Sequence, residues 1–293
     1  GPFTPQQIDL GRLLFFDPVL SGEQNTSCAH CHHPDDGFAD AHGRSRGHGA
    51  AGAGRERRGG VRLRRGAPSL WNIGFADRLF VDGRAPDLQE QALGPLFSPD
   101  EMAANPQDMM ARLGAIAAYE PLFLEAFGEG DPVITLGRVL DALAAFQSTL
   151  VSFDSPYDRY TLGDETALTD AQRRGHDLFH SFMTRCANCH VPPLFSDNQL
   201  AVIGAPEPPG AAFDPGAGAI TGDPTLHGAF RTPQLRNVAL TAPYMHSGGE
   251  KTLREAVDFY NRRRGHAVPE GEPVLIHWLI FAEGQLLSER QVD

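Results

Sequence analysis

Apolar residues in this 293-residue chain recur at helical rather than strand spacing. Between Ile134 and Val151, the residues Leu136, Val139, Leu140, Leu143, Phe146 and Leu150 fall on one helical face. Asn105-Pro106 is a helix opening with proline at the first helical position. Thr252 and Glu255 form a capping box for a helix reaching about Arg263, and Pro273 to Glu283 reads as a buried closing helix. Strand signals are few. Gly43–Gly60 and Pro206–Gly222 are loops by their glycine and proline content, and Ser152–Leu168 reads as a link between domains.

The pattern also repeats. Gly11-Arg12-Leu13-Leu14-Phe15 is echoed by Gly175-His176-Asp177-Leu178-Phe179, with Thr4 and Thr169 as the helix starts. After each copy comes a pentapeptide, Cys28-Ala29-His30-Cys31-His32 and Cys186-Ala187-Asn188-Cys189-His190, and these hold all four cysteines of the chain. Cys-x-x-Cys-His attaches a c-type haem, the thiols adding to the vinyl groups and the histidine taking one face of the iron. The same thiol spacing serves zinc sites and dithiol redox motifs. Zinc pairs usually lack the obligatory histidine, however, and a thioredoxin-like motif occurs once. The expectation is a mainly α fold of two helical lobes, 1–160 and 161–293, each with one covalent c-type haem.

Charge narrows the choice of partners. A net charge of -12 argues against nucleic acid or an anionic membrane, and no run of eighteen apolar residues suggests a membrane span. No signal peptide is visible at Gly1-Pro2-Phe3-Thr4, which reads as the start of a mature or trimmed chain. Covalent haem is attached after export in bacteria, so the expected compartment is the periplasm. Eight arginines (Arg44, Arg46, Arg55, Arg57, Arg58, Arg62, Arg64 and Arg65) face a single acid, Glu56, between Gly43 and Gly66. With so much glycine the stretch reads first as a solvated, mobile loop, and second as a docking patch or a set of haem-propionate partners.

Three further segments carry a resemblance: Phe80-Val81-Asp82-Gly83-Arg84-Ala85, Arg231-Thr232-Pro233, and the run from Leu235 to Ala242 that leads into Pro243-Tyr244-Met245-His246-Ser247-Gly248. With the two haem motifs, they resemble the bacterial dihaem cytochrome c peroxidases and their MauG branch over nearly the whole chain. The resemblance implies two cytochrome-c-like lobes, the N-terminal haem reacting with peroxide and the C-terminal haem storing or relaying electrons. It places the sixth ligand of the second haem fourteen residues after His246, at Tyr260, where the peroxidases have methionine. Leu253, Val257 and Tyr260 share one helical face, so the phenol is expected on the apolar side. Met245 is the rival ligand, and a core aromatic is the plainer reading of Tyr260. At the first haem the resemblance implies Glu101 as acid/base, Gln91 as its hydrogen-bonding partner and Pro95 as an apolar wall. From the residues alone Glu101 is a helix-start acid after Ser98-Pro99-Asp100. His48 matches a blocking distal histidine by spacing but reads as a surface residue. Two departures stand out. The family's inter-haem tryptophan is Val81 here, with Trp71 the nearest aromatic substitute, and its calcium-binding asparagine is Gly66. Only the backbone carbonyls of Thr241 and Pro243 carry over, which makes calcium optional.

The resulting expectation is an enzyme that uses hydrogen peroxide to form a pair of high-valent irons and oxidises an aromatic residue, tryptophan first, on a periplasmic partner protein. The short chain and altered bridge lean toward the methanobactin-operon (MbnH-like) members of the branch. The first alternative is a peroxidase drawing electrons from a small cytochrome or cupredoxin. The second is a dihaem electron carrier without catalysis.

Overall fold

Thr4 caps α1 (Pro5–Phe16) through a reciprocal box with Gln7 in the computed structural model, which describes residues 3–262, 267–277 and 287–292. Two compact units divide the chain: Gly1–Phe80 with Ala85–Leu150, and Val81–Arg84 with Val151–Asp293. The structure is mainly helical, with little sheet.

The first unit continues with α2 (Cys28–Cys31), α3 (Leu88–Phe97), α4 (Pro106–Ala115), α5 (Tyr119–Phe127) and α6 (Leu136–Ser148). Asn105 caps α4 and Thr135 caps α6, as their side-chain oxygens allow. Leu10, Leu14 and Phe15 of α1 join Val139, Leu143 and Phe146 of α6 in one buried cluster. The crossing depends on Gly11, where a Cβ would stand 1.8 Å from the Ala142 carbonyl oxygen. Ala142, Ala144, Ala145 and Gln147 are buried as well, so α6 is enclosed on more sides than its apolar stripe implies, with both α1 and α3 packed on it.

The arginine-rich stretch exposes Arg55, Arg58, Arg62 and Arg64 to solvent, as expected, but it is anchored at one point. Its short strands β1 (Ala50–Ala51) and β2 (Arg58–Gly59) pair antiparallel, and Arg57 is only 1% exposed. Arg57 Nε donates to the Arg46 carbonyl at 2.6 Å, and Nη1 to that of Gly52 at 3.1 Å. Nη2 donates to Thr26 Oγ1 at 3.1 Å. A rigid guanidinium fork with partners on several segments ties the loop down in spite of its glycines.

The second unit holds α7 (Pro156–Thr161), α8 (Asp170–His180), α9 (Gly218–Thr221), α10 (Leu253–Asn261) and α11 (Glu289–Val292), with β3 (Leu200–Val202) antiparallel to β4 (Ala229–Arg231). Thr169 starts α8 as expected, in a capping box with Gln172, and Thr252 makes the expected box with Glu255. The segment read as a link contains α7 and is anchored within this unit. Arg236 grips Asp158 with two hydrogen bonds, 2.8 and 2.6 Å, and donates to the Pro193 carbonyl at 2.6 Å. Residues 273–277 are not helical, and the remainder of the expected closing helix lies outside the described residues, as does Arg263. Among the described residues no helix is long and apolar enough to cross a membrane.

Two outcomes follow. Gly11→Ala forces α1 off α6 and should lower stability by about 1–3 kcal/mol or more. Gly175→Ala meets nothing within 4 Å and should raise stability by roughly 0.5–1 kcal/mol; denaturant midpoints of the two variants should move in opposite directions. The Arg236 hydrogen bonds hold the Asp158 carboxyl well below the usual carboxylate range. Such a group stabilises the fold above its unfolded pKa of about 4, and that contribution fades as pH falls further toward the folded value. The stability gap between wild type and Asp158→Asn should therefore be full at pH 6 and shrink below about pH 4, as read by acid titration of unfolding.

Candidate haem-attachment sites

Both pentapeptides end on a histidine held in the same way. His32 Nδ1 lies 2.9 Å from the Phe38 carbonyl, and His190 Nδ1 lies 2.9 Å from the Phe195 carbonyl. A carbonyl can only accept, so Nδ1 carries the proton in each ring and Nε2 keeps the lone pair that a metal needs. Burial lowers both imidazole pKa values, partly offset by these hydrogen bonds, so both rings are neutral at neutral pH. Each carbonyl is aimed by a phenylalanine in the left-handed region, φ 54° at Phe38 and 58° at Phe195.

Aromatic packing holds each phenylalanine in place. Phe15 of α1 meets Phe38 edge-on at 6.3 Å, and its echo Phe179 of α8 meets Phe195 edge-on at 5.9 Å. Trp71 stands edge-on to Phe38 at 5.4 Å, while the Arg236 guanidinium lies 5.8 Å from the Phe195 ring. Trp71 and Arg236 are 165 positions apart, as are Pro68 and Pro233, Asn72 and Asn237, Phe80 and Met245, and Asp87 and Thr252. Asn72 and Asn237 share a left-handed backbone, and so do Phe80 and Met245. The internal repeat is therefore much longer than the two helix–haem segments. Its sequence trace was Pro68-Ser69-Leu70-Trp71-Asn72 against Pro233-Gln234-Leu235-Arg236-Asn237.

The thiols suit attachment and little else. Burial pushes the Cys28 and Cys31 thiols up to about 12. A redox dithiol needs the opposite shift. Among the described residues no three His, Cys, Asp or Glu side chains converge as zinc would require. Two thiols set apart from a neutral, oriented histidine fit a c-type haem in each unit.

One position of two equivalent helices carries residues of unlike ligating chemistry in the two units. Asp87 caps α3 and Thr252 caps α10, each after a turn closed by a bridge, Leu79 to Ala85 and Tyr244 to Glu250. Pro95 is the eighth residue of α3 and Tyr260 the eighth of α10. Gln91, half-buried, lies one turn before Pro95. Glu101 is not a helix-start acid: it sits in the turn after α3, ahead of the Asn105 cap. Its charge bears on Cys31, as do those of Arg57 and Asp40. His48 Nε2 is 3.6 Å from Glu23, with a side chain 38% exposed.

On α10 the buried aromatic is Phe259, at 2% exposure, with Tyr260 half-buried edge-on to it at 5.2 Å. Leu253 and Val257 are 40% and 36% exposed, so the face they share with Tyr260 is not the packed one. Helical spacing marked that face as apolar without saying whether protein covers it. Met245 sits in its turn at φ 69°. The neighbouring His246 hydrogen-bonds Glu207 at 2.8 Å and stacks on Phe230 at 3.9 Å. The Val81 carbonyl accepts from the Arg231 N–H at 2.7 Å. Calcium at Thr241 and Pro243 has the resemblance alone behind it.

Residues 5–166 match the family model described as di-haem cytochrome c peroxidase. The methylamine utilization protein MauG of Methylorubrum extorquens is 39% identical over 89% of this chain and 70% of its own length. The cytochrome c551 peroxidase of Pseudomonas aeruginosa is 37% identical over 87% of this chain and 72% of its own. Among solved structures, a MauG-like protein associated with microbial copper homeostasis superposes with a TM-score of 0.85 at 33% identity, covering 99% of this chain and 87% of that one. The diheme peroxidase BthA of Burkholderia thailandensis does so at 0.83 and 29%, covering 99% and 84%. This chain thus belongs to the di-haem cytochrome c peroxidase family and is a haem-dependent oxidoreductase of the peroxidase class.

Proposed function

We propose that this enzyme takes hydrogen peroxide at the His32 site, stores the two oxidising equivalents across both sites, and spends them on an aromatic residue, tryptophan first, of a periplasmic partner protein. The observation that carries the reading is the eighth position of the two equivalent helices. Proline has no ligating atom, so Pro95 would leave a haem at the first site free to take peroxide, whereas the Tyr260 phenol oxygen would hold the haem of the second.

Haem, when bound covalently at Cys28/Cys31 and Cys186/Cys189, supplies iron that accepts peroxide oxygen and holds oxidising equivalents. The chain's own residues do the rest. His32 and His190 present Nε2 because Nδ1 is engaged by Phe38 and Phe195. The Glu101 carboxylate takes a proton from one peroxide oxygen and returns it to the other, so that water leaves. The Gln91 amide steadies Glu101, and Pro95 adds a wall with no donor. An anionic phenolate at Tyr260 lowers the potential of the second site relative to methionine and favours a high oxidation level there. Supply of electrons from a small cytochrome would then be poor, leaving time for a protein substrate to dock. Two electrons and two protons from that substrate complete the reduction of peroxide to water.

Glu101→Gln keeps the side-chain shape and should slow reaction with peroxide by roughly a hundredfold or more, with small-ligand binding at the first site retained; an unchanged rate in stopped flow would remove Glu101 from the mechanism. With peroxide and no reductant, the holoprotein should form a long-lived, two-electron-oxidised state that Tyr260→Phe abolishes. Rapid discharge of that state by reduced small cytochromes, with no protein modified, would instead assign peroxide detoxification. Absence of any reaction with peroxide would leave an electron carrier.

A further inference from the structure

A continuous run of rings leaves the second attachment site through α7 and α8. The Phe195 carbonyl holds His190, and the Phe195 ring meets Tyr157 edge-on at 4.8 Å. On its other side Tyr157 faces the His176 ring at 6.0 Å, and Tyr160 lies 5.8 Å from the same His176. His180, exposed, follows His176 at 4.3 Å. All of these residues belong to the second unit.

Packing of α7 against α8 needs rings, but it does not need phenols. Phenylalanine and neutral imidazole are hard to oxidise by one electron, whereas a phenol that can release its proton is not. Tyr157 and Tyr160 are the two such groups in the run. Burial, with the Asp158 charge, raises the Tyr157 phenol pKa against the opposing pull of Arg236, so the phenol keeps its proton until it is oxidised. Among the described residues no side chain or carbonyl accepts a hydrogen bond from the Tyr157 hydroxyl. Tyr157 is only half-buried, which leaves water as the proton's destination.

We propose that Tyr157 and Tyr160 are the exit relay of the second site, carrying oxidising equivalents from the His190 side to a protein that docks on the α7–α8 face and presents an indole or phenol. The proposal rests on the peroxide-dependent reading above. In each step Tyr157 gives one electron to the oxidised site and its phenol proton to water, becoming a neutral tyrosyl radical. Tyr160 then returns an electron and a proton to Tyr157, and the partner's aromatic side chain does the same for Tyr160. Two passes consume both equivalents of one peroxide. Val81, in place of an aromatic residue, offers no competing station at its own position.

The test uses the dihaem holoenzyme, hydrogen peroxide without reductant, freeze-quench EPR and a spin trap read by peptide mass spectrometry. Wild type should yield a tyrosyl signal with trap adducts on Tyr157 or Tyr160. Tyr157→Phe keeps the ring packing and should cut that signal about tenfold or more and lengthen the life of the oxidised state, while peroxide consumption in the first turnover is unchanged. Tyr160→Phe should keep a Tyr157 radical and shift the adducts to it. An unchanged signal and lifetime in Tyr157→Phe, or wild-type adducts confined to other residues, would overturn the relay and leave the peroxide reading intact. No oxidised state in wild type would overturn both. If Tyr157→Phe fails to load haem, the wild-type adduct map decides alone.

Discussion

The hydrogen bond from a proximal histidine Nδ1 to a phenylalanine carbonyl organises both halves of this molecule. It selects the tautomer, leaves the Nε2 lone pair available to a metal and fixes the ring. The bond has a backbone cost, because Phe38 and Phe195 must occupy a left-handed conformation that disfavours side chains with a Cβ by about 1–2 kcal/mol each. Edge-on contacts from Phe15 and Phe179 hold them there. The helix α1 or α8 is therefore part of the ligand's support, and the close approach of α1 to α6 at Gly11 extends that support into the core of the first unit.

A duplicated scaffold with unlike residues at equivalent positions allows similar units to carry different tasks. The turns before α3 and α10, their caps and their left-handed residues correspond closely, so the eighth helical residue reaches a corresponding place in each. Proline there cannot bind a metal. Tyrosine can. The same logic applies at Trp71 and Arg236, which lie against corresponding phenylalanines: one packs a half-buried indole edge-on, and the other ties down α7 through Asp158. Trp71 is thus a packing partner of the first ligand's support, whatever else it conducts.

Much of this was legible in the chain. The helix caps at Thr4, Thr169, Asn105 and Thr252 were readable because each depends on a side chain within three residues of the cap. The two Cys-x-x-Cys-His motifs stood out because a c-type haem demands fixed spacing. What escaped depends on contacts distant in sequence or on backbone conformation. Nothing local marks Phe38 and Phe195 as the residues whose carbonyls accept the histidine N–H, since any residue has a carbonyl. Arg57 looked like one charge among eight on a glycine-rich loop, yet it is buried, with carbonyls of the loop itself and the Thr26 hydroxyl outside the loop as its acceptors. The apolar spacing of Leu253, Val257 and Tyr260 marked a face correctly but not what covers it, and Phe259 took the packed position instead.

The central claim is that one helix position leaves the first haem open and closes the second with a phenolate. Low-temperature EPR of the resting ferric holoprotein tests it most directly. The account predicts two unlike signals of equal weight: a high-spin species from the His32 haem that small ligands convert, and a low-spin species from the His190 haem that Tyr260→Phe removes. Two like signals, or a second haem with the near-infrared band of methionine ligation that survives loss of Tyr260, would contradict it.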